Sequence, residues 1–261
     1  MEVNEIIIHL RKFIENQGKN SKKLTIYKAV GDFSHYFNEL GISVDLDKNK
    51  EIILQDETQL ELGGLNRKSF SLIYPSIELK EIKDGKISLL GPEIQEMNEP
   101  SVDFGLFFLI QAKSLSEKEF NNLKSINFIS DGIEGFLIRT IPRRFWCRIS
   151  TDVIKKKFSF EFLGNAIFYL YKQKFKDLIE FMEIFFINSY PNLIDEFVSI
   201  VSGIIAHVND RWIKKVEEWR KRIDCEYDWG CEICPYQKEC YQIKQVLIER
   251  EKLNNIHKSL E

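Results

Sequence analysis

Four cysteines lie within 16 residues near the end of the sequence, at Cys225, Cys231, Cys234 and Cys240. Cys231 and Cys234 have the two-residue separation of a tight-turn chelate, and a five-residue arm on each side allows the other two to fold back. Thiolates are soft ligands suited to zinc and to iron–sulfur clusters. The spacing therefore predicts that the four thiolates bind one inorganic centre.

The type of centre follows from how the cysteines are paired. Structural zinc sites typically combine two paired chelates, and the quartet contains one such pair. Iron–sulfur clusters accept one close pair with two more distant cysteines, and the Cys-x-x-Cys-Pro-Tyr run is similar to segments that hold [4Fe–4S] centres in other anaerobic proteins. We therefore favour a [4Fe–4S] cluster, with zinc as the alternative and a metal-free segment still open. A bound centre would serve either electron transfer or a structural role.

A second candidate site is the basic concentration in the middle of the sequence. It consists of four arginines around a tryptophan: Arg139, Arg143, Arg144, Arg148 and Trp146. The planar guanidinium fork suits phosphate, and an adjacent aromatic face suits a nucleobase, so the pattern favours coenzyme A or another nucleotide. Single-stranded nucleic acid is a further reading of the same composition. The alternative is structural, with alternate residues packed inward and the arginines paired with nearby acids such as Glu134 and Asp152.

Other residue types give weaker signals. Cys147 lies far from the quartet, inside a predicted strand, which is typical of a buried thiol. The four histidines are not at ligand spacing from one another. The sequence contains no nucleophile elbow, phosphate-binding glycine loop or dinucleotide fingerprint, and a Gly63-Gly64 pair is better explained as the end of a strand.

Composition limits the class of protein. The 261 residues carry a net charge of −3, so no global field favours nucleic acid or an anionic membrane. We see no signal peptide and no apolar run approaching the roughly 20 residues that cross a bilayer. A cytoplasmic location is therefore the expectation. In a reducing compartment, crowded cysteines are typical of metal binding.

Hydrophobic periodicity predicts an α+β protein with a mixed sheet flanked by helices. Residues 1–50 are predicted to form a helical N-terminal cap, with one helix over 1–17 ended by Gly18 and a second over 23–40 ended by Gly41. Residues 51–191 are predicted to form the α+β domain. Residues 192–261 are predicted to form a helical segment that carries the cysteines, with one long amphipathic helix over 192–223 and another after Cys240.

The central domain alternates short apolar runs with glycine and proline turns. The predicted strands cover 51–54, 59–62, 70–74, 86–90, 104–112 and 144–149. Ser116 and Glu119 predict a capping box for a helix that lasts to about Ile129, and 160–172 is a second predicted helix. Residues 178–188 form a buried strand or helix that periodicity does not separate.

Several segments in this domain resemble a known family. They are Glu61–Gly64, the Ser88–Ile94 turn, Gly135–Asp152 and Phe160–Asn188, and they are similar in order and spacing to the beta subunit of the CO dehydrogenase/acetyl-CoA synthase complex. The resemblance covers roughly residues 55–190. It implies the α+β domain that precedes the nickel-bearing domain and that is associated with coenzyme A and partner proteins. Trp146 and Arg148 match a Trp-x-Arg element of the family.

The departures from that family shape the expected function. Its acetyl-forming site uses a Cys-Gly-Cys tripeptide, and this sequence contains no Cys-x-Cys and no long C-terminal domain to house such a site. Acetyl-CoA synthesis by this chain alone is therefore not expected. The favoured function is an accessory iron–sulfur protein that docks on a corrinoid, ferredoxin or CO dehydrogenase-type partner in anaerobic one-carbon metabolism. The alternatives are an acetyl-CoA synthase/decarbonylase component whose metal site another subunit completes, and a zinc-stapled structural module.

Overall fold

The computed structural model describes residues 3–21, 24–47, 51–64, 66–80, 82–141, 144–223, 241–242, 245 and 248. The predicted metal ligands Cys225, Cys231, Cys234 and Cys240 lie outside the described residues, as does Arg143. The metal site therefore stays a prediction. The chain divides into two compact units, Met1–Ile205 and Ala206–Glu261, and the sheets belong to the first.

The larger sheet of the described chain has five strands, in the order β1-β4-β9-β6-β3. The strands are β1 (Leu24–Lys28), β3 (Ser69–Ser76), β4 (Lys86–Leu90), β6 (Phe104–Ala112) and β9 (Ile179–Asn188). Strand β4 runs parallel to β9, and β3 runs parallel to β6, whereas the β1–β4 and β6–β9 pairs are antiparallel. The prediction of a mixed sheet is confirmed.

A second sheet of four strands has the order β5-β2-β8-β7 within the described residues. Its strands are β2 (Thr58–Gly63), β5 (Ser101–Val102), β7 (Phe136–Ile141) and β8 (Arg144–Ser150). Phe145 joins the two sheets, because its backbone N–H donates to Ser69 Oγ at 3.1 Å and its ring stacks on Phe104 at 5.7 Å between centroids. The inner face of the second sheet thus belongs to the same core as the larger sheet.

Helices cover both faces of the larger sheet. The helices of the described chain are α1 (Val3–Ser21), α2 (Phe33–Leu40), α3 (Glu117–Leu123), α4 (Thr151–Lys155), α5 (Phe160–Lys174) and α6 (Pro191–Ile223). On one face, Phe160 of α5 packs against Phe104 and Phe186. On the other, Phe197 of α6 packs against Phe107 and Phe13. Strands β6 and β9 are consequently buried on both sides, as the two-sided apolar run of β6 predicts.

The N-terminal region differs from the prediction in one element. Helix α1 continues past Gly18 to Ser21, and residues 24–28 form strand β1 at the edge of the larger sheet instead of the start of a second helix. The end of that predicted helix is confirmed, because α2 stops at Gly41 with the left-handed φ of 64° that a glycine C-cap provides. The predicted domain boundaries at 50/51 and 191/192 stay predictions.

Two boundaries in the central domain also differ. Residues 51–54 form no strand, although the predicted strands around 59–62, 70–74, 86–90, 104–112 and 144–149 are confirmed. The capping box of Ser116 and Glu119 is confirmed, but α3 ends at Leu123 and a separate 3-10 turn follows at Asn127–Ile129. Residues 179–188 are a strand, which resolves the ambiguity that periodicity left.

Helix α6 confirms the long amphipathic helix predicted over 192–223. Its segment Pro191–Val208 is long and apolar enough to cross a membrane by length and composition alone, contrary to the expectation that no run has that length. The apolar residues Ile194, Phe197, Val201 and Ile204 of this segment are buried at helical spacing. As a whole, 22% of the segment is buried within the protein.

A buried ion pair attaches α1 to the larger sheet. Arg11 Nη2 lies 2.8 Å from Glu183 Oε2, and the Glu183 side chain on β9 is fully buried. Lys86 Nζ of β4 lies 3.5 Å from the other oxygen of the same carboxylate. The buried Glu183 carboxylate has lost its hydration, so it destabilises the fold unless its cationic partners remain in place.

We expect replacement of Arg11 by methionine, which keeps the aliphatic stem, to lower the free energy of unfolding by about 3 kcal/mol. This value is at the lower end of the range for breaking a buried ion pair, because Lys86 still lies near the Glu183 carboxylate. Equilibrium denaturation measured by far-UV circular dichroism checks it. Lys155→Met removes an exposed pair with Asp152 and should have no measurable effect. Equal losses in the two variants would show that the buried pair contributes nothing specific.

Candidate functional site

Strand β8 presents different side chains on its two faces. Phe145, Cys147 and Ile149 are at most 1% exposed and point into the core. Trp146 and Arg148 alternate with them and therefore lie on the outer face of the second sheet. The predicted inward packing of alternate residues is confirmed, as is the buried thiol at Cys147, whose pKa is raised well above its ordinary value by burial.

The neighbouring strands place Trp146 between a glycine step and an arginine. Trp146 is directly opposite Gly63 of β2 and Arg139 of β7. Both Gly63 and Gly64 have positive φ, and a Cβ on Gly64 would lie 3.3 Å from the indole Cδ1. Gly63 ends β2, as expected, and the lack of a side chain at Gly64 leaves room for the indole.

Arg148 is fixed by three contacts on this face. Its Nε lies 2.9 Å from Glu61 Oε1, its Nη1 donates to the Ile53 carbonyl at 3.2 Å, and its Cζ lies 4.4 Å from the centroid of the Trp146 ring. The sequence-based alternative named the wrong acids, because the pairing partner is Glu61. Glu134 instead binds Lys156, and Asp152 pairs with Lys155.

Arg139 is the exposed cation of the group. Its side chain is exposed on the outer face, and no acidic partner for it is found in the described part of the chain. Residues directly opposite in an antiparallel pair have Cβ atoms about 5 Å apart, so Arg139 is the cross-strand neighbour of Trp146. Arg144 begins β8. We call Arg139, Trp146 and Arg148 the arginine–tryptophan face.

This face presents a guanidinium group beside an aromatic ring, a combination suited to a phosphate and a nucleobase. Arg139 offers an uncompensated guanidinium, whereas the charge of Arg148 is already balanced by Glu61, so that Arg148 mainly orients the indole. Ile52 and Leu54, which flank the carbonyl that Arg148 contacts, are 74% and 53% exposed. The outer face thus combines a cation, an aromatic ring and exposed apolar side chains.

A second titratable group, which sequence reasoning missed, lies after β4. Glu93 Oε1 accepts hydrogen bonds from the first backbone N–H groups of α5, at 2.5 Å from Phe160 N and 3.4 Å from Glu161 N. Burial raises the pKa of Glu93 to about 7, against the opposing effect of these N–H donors. The Gly91-Pro92 turn in the sequence marks a loop here but does not show which helix the loop caps.

Negative charge accumulates around this carboxyl group. Burial, together with Glu93 and Glu161, raises the pKa of Tyr27 to about 12, and burial and Glu161 raise the pKa of Tyr36. Among the described residues, no three His, Cys, Asp or Glu side chains are placed to hold a metal ion together. Glu93 therefore caps α5, and its carboxyl group titrates near neutral pH.

Comparison with known proteins gives one family. The family model of the CO dehydrogenase/acetyl-CoA synthase complex beta subunit matches residues 42–192, more than half of the chain. This range contains both sheets except β1, and it contains the arginine–tryptophan face. The predicted resemblance over residues 55–190 is confirmed.

Individual relatives have the same name or a related one. The acetyl-CoA decarbonylase/synthase complex subunit beta of Methanopyrus kandleri is 27% identical over 176 residues, 66% of this chain and 37% of that protein. The corresponding subunit of Methanothermobacter thermautotrophicus is 30% identical over 141 residues, 53% of this chain and 30% of that protein. The carbon monoxide dehydrogenase/acetyl-CoA synthase subunit alpha of Moorella thermoacetica is 28% identical over 51% of this chain and 18% of its own length. The chain thus spans about a third or less of these relatives.

The raised pKa of Glu93 predicts a pH dependence of stability. The folded state holds a proton at pH values where an unfolded glutamate with a pKa near 4.5 has lost it, so the free energy of unfolding should fall as pH rises from 4.5 to about 7. Glu93→Gln keeps an acceptor for Phe160 N and removes the titration. We expect the wild-type curve to lose about 2–3 kcal/mol relative to the variant across this range, measured by urea denaturation. Parallel pH profiles for the two proteins would contradict the assignment.

Proposed function

The chain belongs to the CO dehydrogenase/acetyl-CoA synthase complex beta subunit family, and from this membership we propose that it is an accessory iron–sulfur component of such a complex that binds coenzyme A on its arginine–tryptophan face. In this proposal it docks on a corrinoid, ferredoxin or CO dehydrogenase-type partner in the cytoplasm. The observation that carries the coenzyme A part is the exposed Arg139 directly opposite Trp146, with Arg148 stacked on the indole.

In this proposal the two arginines have different roles. Arg139 lacks an acidic partner in the described residues, so it can give its full charge to a phosphate of the ligand. Arg148 is held by Glu61 and the Ile53 carbonyl, so it acts as a positioning residue for Trp146. A hydrogen bond to a charged group contributes about 1.5–3 kcal/mol, which corresponds to roughly a 10- to 100-fold change in affinity.

The iron–sulfur part of the proposal rests on the spacing of Cys225, Cys231, Cys234 and Cys240. A cluster there would supply an electron-transfer or structural centre. The sequence contains no Cys-x-Cys of the kind that binds the outer nickel in the resembled family. An accessory role is therefore favoured over acetyl-CoA synthesis by this chain alone.

The second candidate is a component that forms or cleaves acetyl-CoA with a metal site completed by another subunit. It is supported by the names of the relatives, which are acetyl-CoA decarbonylase/synthase or acetyl-CoA synthase subunits. This candidate requires stoichiometric nickel and carbonyl exchange with acetyl-CoA in the assembled complex. A complex that is active in exchange only when it contains this chain would replace the accessory proposal.

Coenzyme A binding is tested by titration with tryptophan fluorescence, using Trp146→Phe to subtract the signal of the other three tryptophans. We expect Arg139→Gln to weaken binding about tenfold or more while leaving the fluorescence of the free protein unchanged, because it removes only a phosphate contact. Arg148→Ala should change the fluorescence of the free protein as well, because it uncovers the indole. The exposed Lys155→Gln is the control for loss of one charge. Equal affinity of wild type and Arg139→Gln would exclude the proposed site.

The cluster is tested by metal and sulfide analysis of anaerobically purified protein. We expect about four iron and four sulfide per chain, with iron lost in Cys234→Ser. Cys147→Ala is the matched control and should keep its iron, because Cys147 is buried in β8. A colourless protein that keeps zinc in air would support the zinc-stapled module instead, and a protein without metal would exclude both centres.

A further inference from the structure

A cleft of about 370 Å³ lies at one end of the larger sheet, and none of its lining residues belongs to the arginine–tryptophan face. The parallel strands β4 and β9 end beside it at Leu90 and Asn188, and β6 begins there. The crevice beyond the carboxyl ends of parallel strands is a common place for ligands, and this volume lies at the lower end of the range for small-ligand sites. The cleft is therefore large enough to enclose a side chain or a small molecule.

The lining of the cleft has more negative than positive charge. It contains the carboxylates Glu96, Glu99 and Asp103, together with the single cation Arg67. Arg67 Nη2 lies 3.2 Å from Glu99 Oε2, so this pair is balanced. Neither Glu96 nor Asp103 has a cationic partner among the residues that the structure describes. Two negative charges thus remain for an occupant to neutralise.

Asp103 is the more informative of the two carboxylates. It is only 8% exposed, yet it lines the cleft. Its Oδ1 accepts the backbone N–H of Lys68 at 2.5 Å, and its other oxygen accepts no hydrogen bond within the described ranges. The ammonium group of Lys68 is engaged by Asp195 and does not supply the missing charge. A carboxylate with so little exposure is normally paired.

The first turn of α6 does not reverse this charge balance. Pro191 begins the helix beside the cleft, and a helix N-terminus carries about half a positive charge. Proline has no N–H to offer an anion. Half a charge is also smaller than the two uncompensated carboxylates, so the cleft as a whole favours a cation.

The remaining walls are apolar. Pro92, Met97 and Val102 line the cleft next to the acids. An apolar wall beside a carboxylate suits an aliphatic stem that ends in a positive group, as in arginine and lysine. Ser189, which also lines the cleft, has a left-handed φ of 60°, and its N–H donates to the Asp103 carbonyl at 3.0 Å. Residues in such conformations cluster at binding sites.

We propose that this cleft binds an arginine or lysine side chain from a basic segment of a partner protein, with Asp103 and Glu96 as the acceptors. Arginine should be preferred, because its planar fork can contact two carboxylates at once. The choice of a protein as the source rests on the proposed membership of a multiprotein complex. The acidic cleft itself does not depend on the cluster or on coenzyme A.

The probes are the capped peptide acetyl-Gly-Arg-Gly-amide and the same peptide with citrulline, which is an uncharged match in shape. Binding to the full chain is followed by backbone amide shifts in NMR spectra. We expect the arginine peptide to bind with a millimolar dissociation constant, at least fivefold more tightly than the citrulline peptide, and to shift Asn98, Val102 and Ser189. Because the peptides contain neither coenzyme A nor a metal, this test can fail or succeed independently of the proposed function.

Three variants locate the site. Asp103→Asn keeps an acceptor for Lys68 N, and Glu96→Gln keeps an acceptor for Glu93 N at 3.0 Å, so each removes a charge with little change in local bonding. Each should weaken binding of the arginine peptide three- to tenfold. Glu39→Gln on the exposed side of α2 is the control and should not change the affinity. If Asp103→Asn does not fold, the affinity of Glu96→Gln for the arginine peptide alone tests the location of the site.

Several outcomes would overturn the proposal. Equal binding of the arginine and citrulline peptides would show that charge is not recognised. Unchanged affinity in the folded charge-removing variants would place the peptide elsewhere, and absence of amide shifts at 20 mM peptide would show that the cleft is not a binding site. Tighter binding of putrescine than of the peptide would assign the cleft to free polyamines in place of a protein side chain.

Discussion

Strands β6 and β9 have apolar side chains on both faces, and neither face can be left in water. The stacked and edge-on phenylalanines show how the protein meets this constraint, with Phe160 on one side of the sheet and Phe197 on the other. Strands β4 and β9 are parallel neighbours, so the segments that follow them lie at the same end of the sheet. Glu93, which caps α5, follows β4, and Pro191, which begins α6, follows β9. The acidic cleft lies at this end.

The second sheet depends on the same core through one strand. Phe145, Cys147 and Ile149 fill the space beneath the outer face of β8, and this leaves Trp146 and Arg148 no other orientation. Arg148 is held by three contacts, one of them with the Trp146 ring, so little conformational entropy of the indole remains to be lost when a ligand meets it. The family comparison includes this strand, whereas the cysteine quartet lies beyond the matched residues 42–192. The coenzyme A and iron–sulfur parts of the proposal therefore have separate origins in the chain.

Local patterns predicted much of the fold. The two-sided apolar run of β6, the capping box at Ser116 and the long periodic face of α6 are signals that involve only neighbouring residues, and each corresponds to the structure. The predictions were wrong where contacts between residues distant in the sequence determine the secondary structure. Residues 24–28 follow a helical pattern but pair with β4, and residues 51–54 have the composition of a strand but pair with no strand among the described residues. Likewise, Glu61 and Arg148 are 87 residues apart, so their pairing required the register of β2 against β8.

The alternation along β8 sets a parity rule for how this part of the chain can change. A single inserted or deleted residue within the strand would turn Trp146 and Arg148 inward and expose Phe145 and Cys147, whereas two residues would restore both faces. Length changes in β8 should accordingly be tolerated only in even steps. Substitutions and paired length changes keep both faces of this strand, whereas a change by one residue loses them.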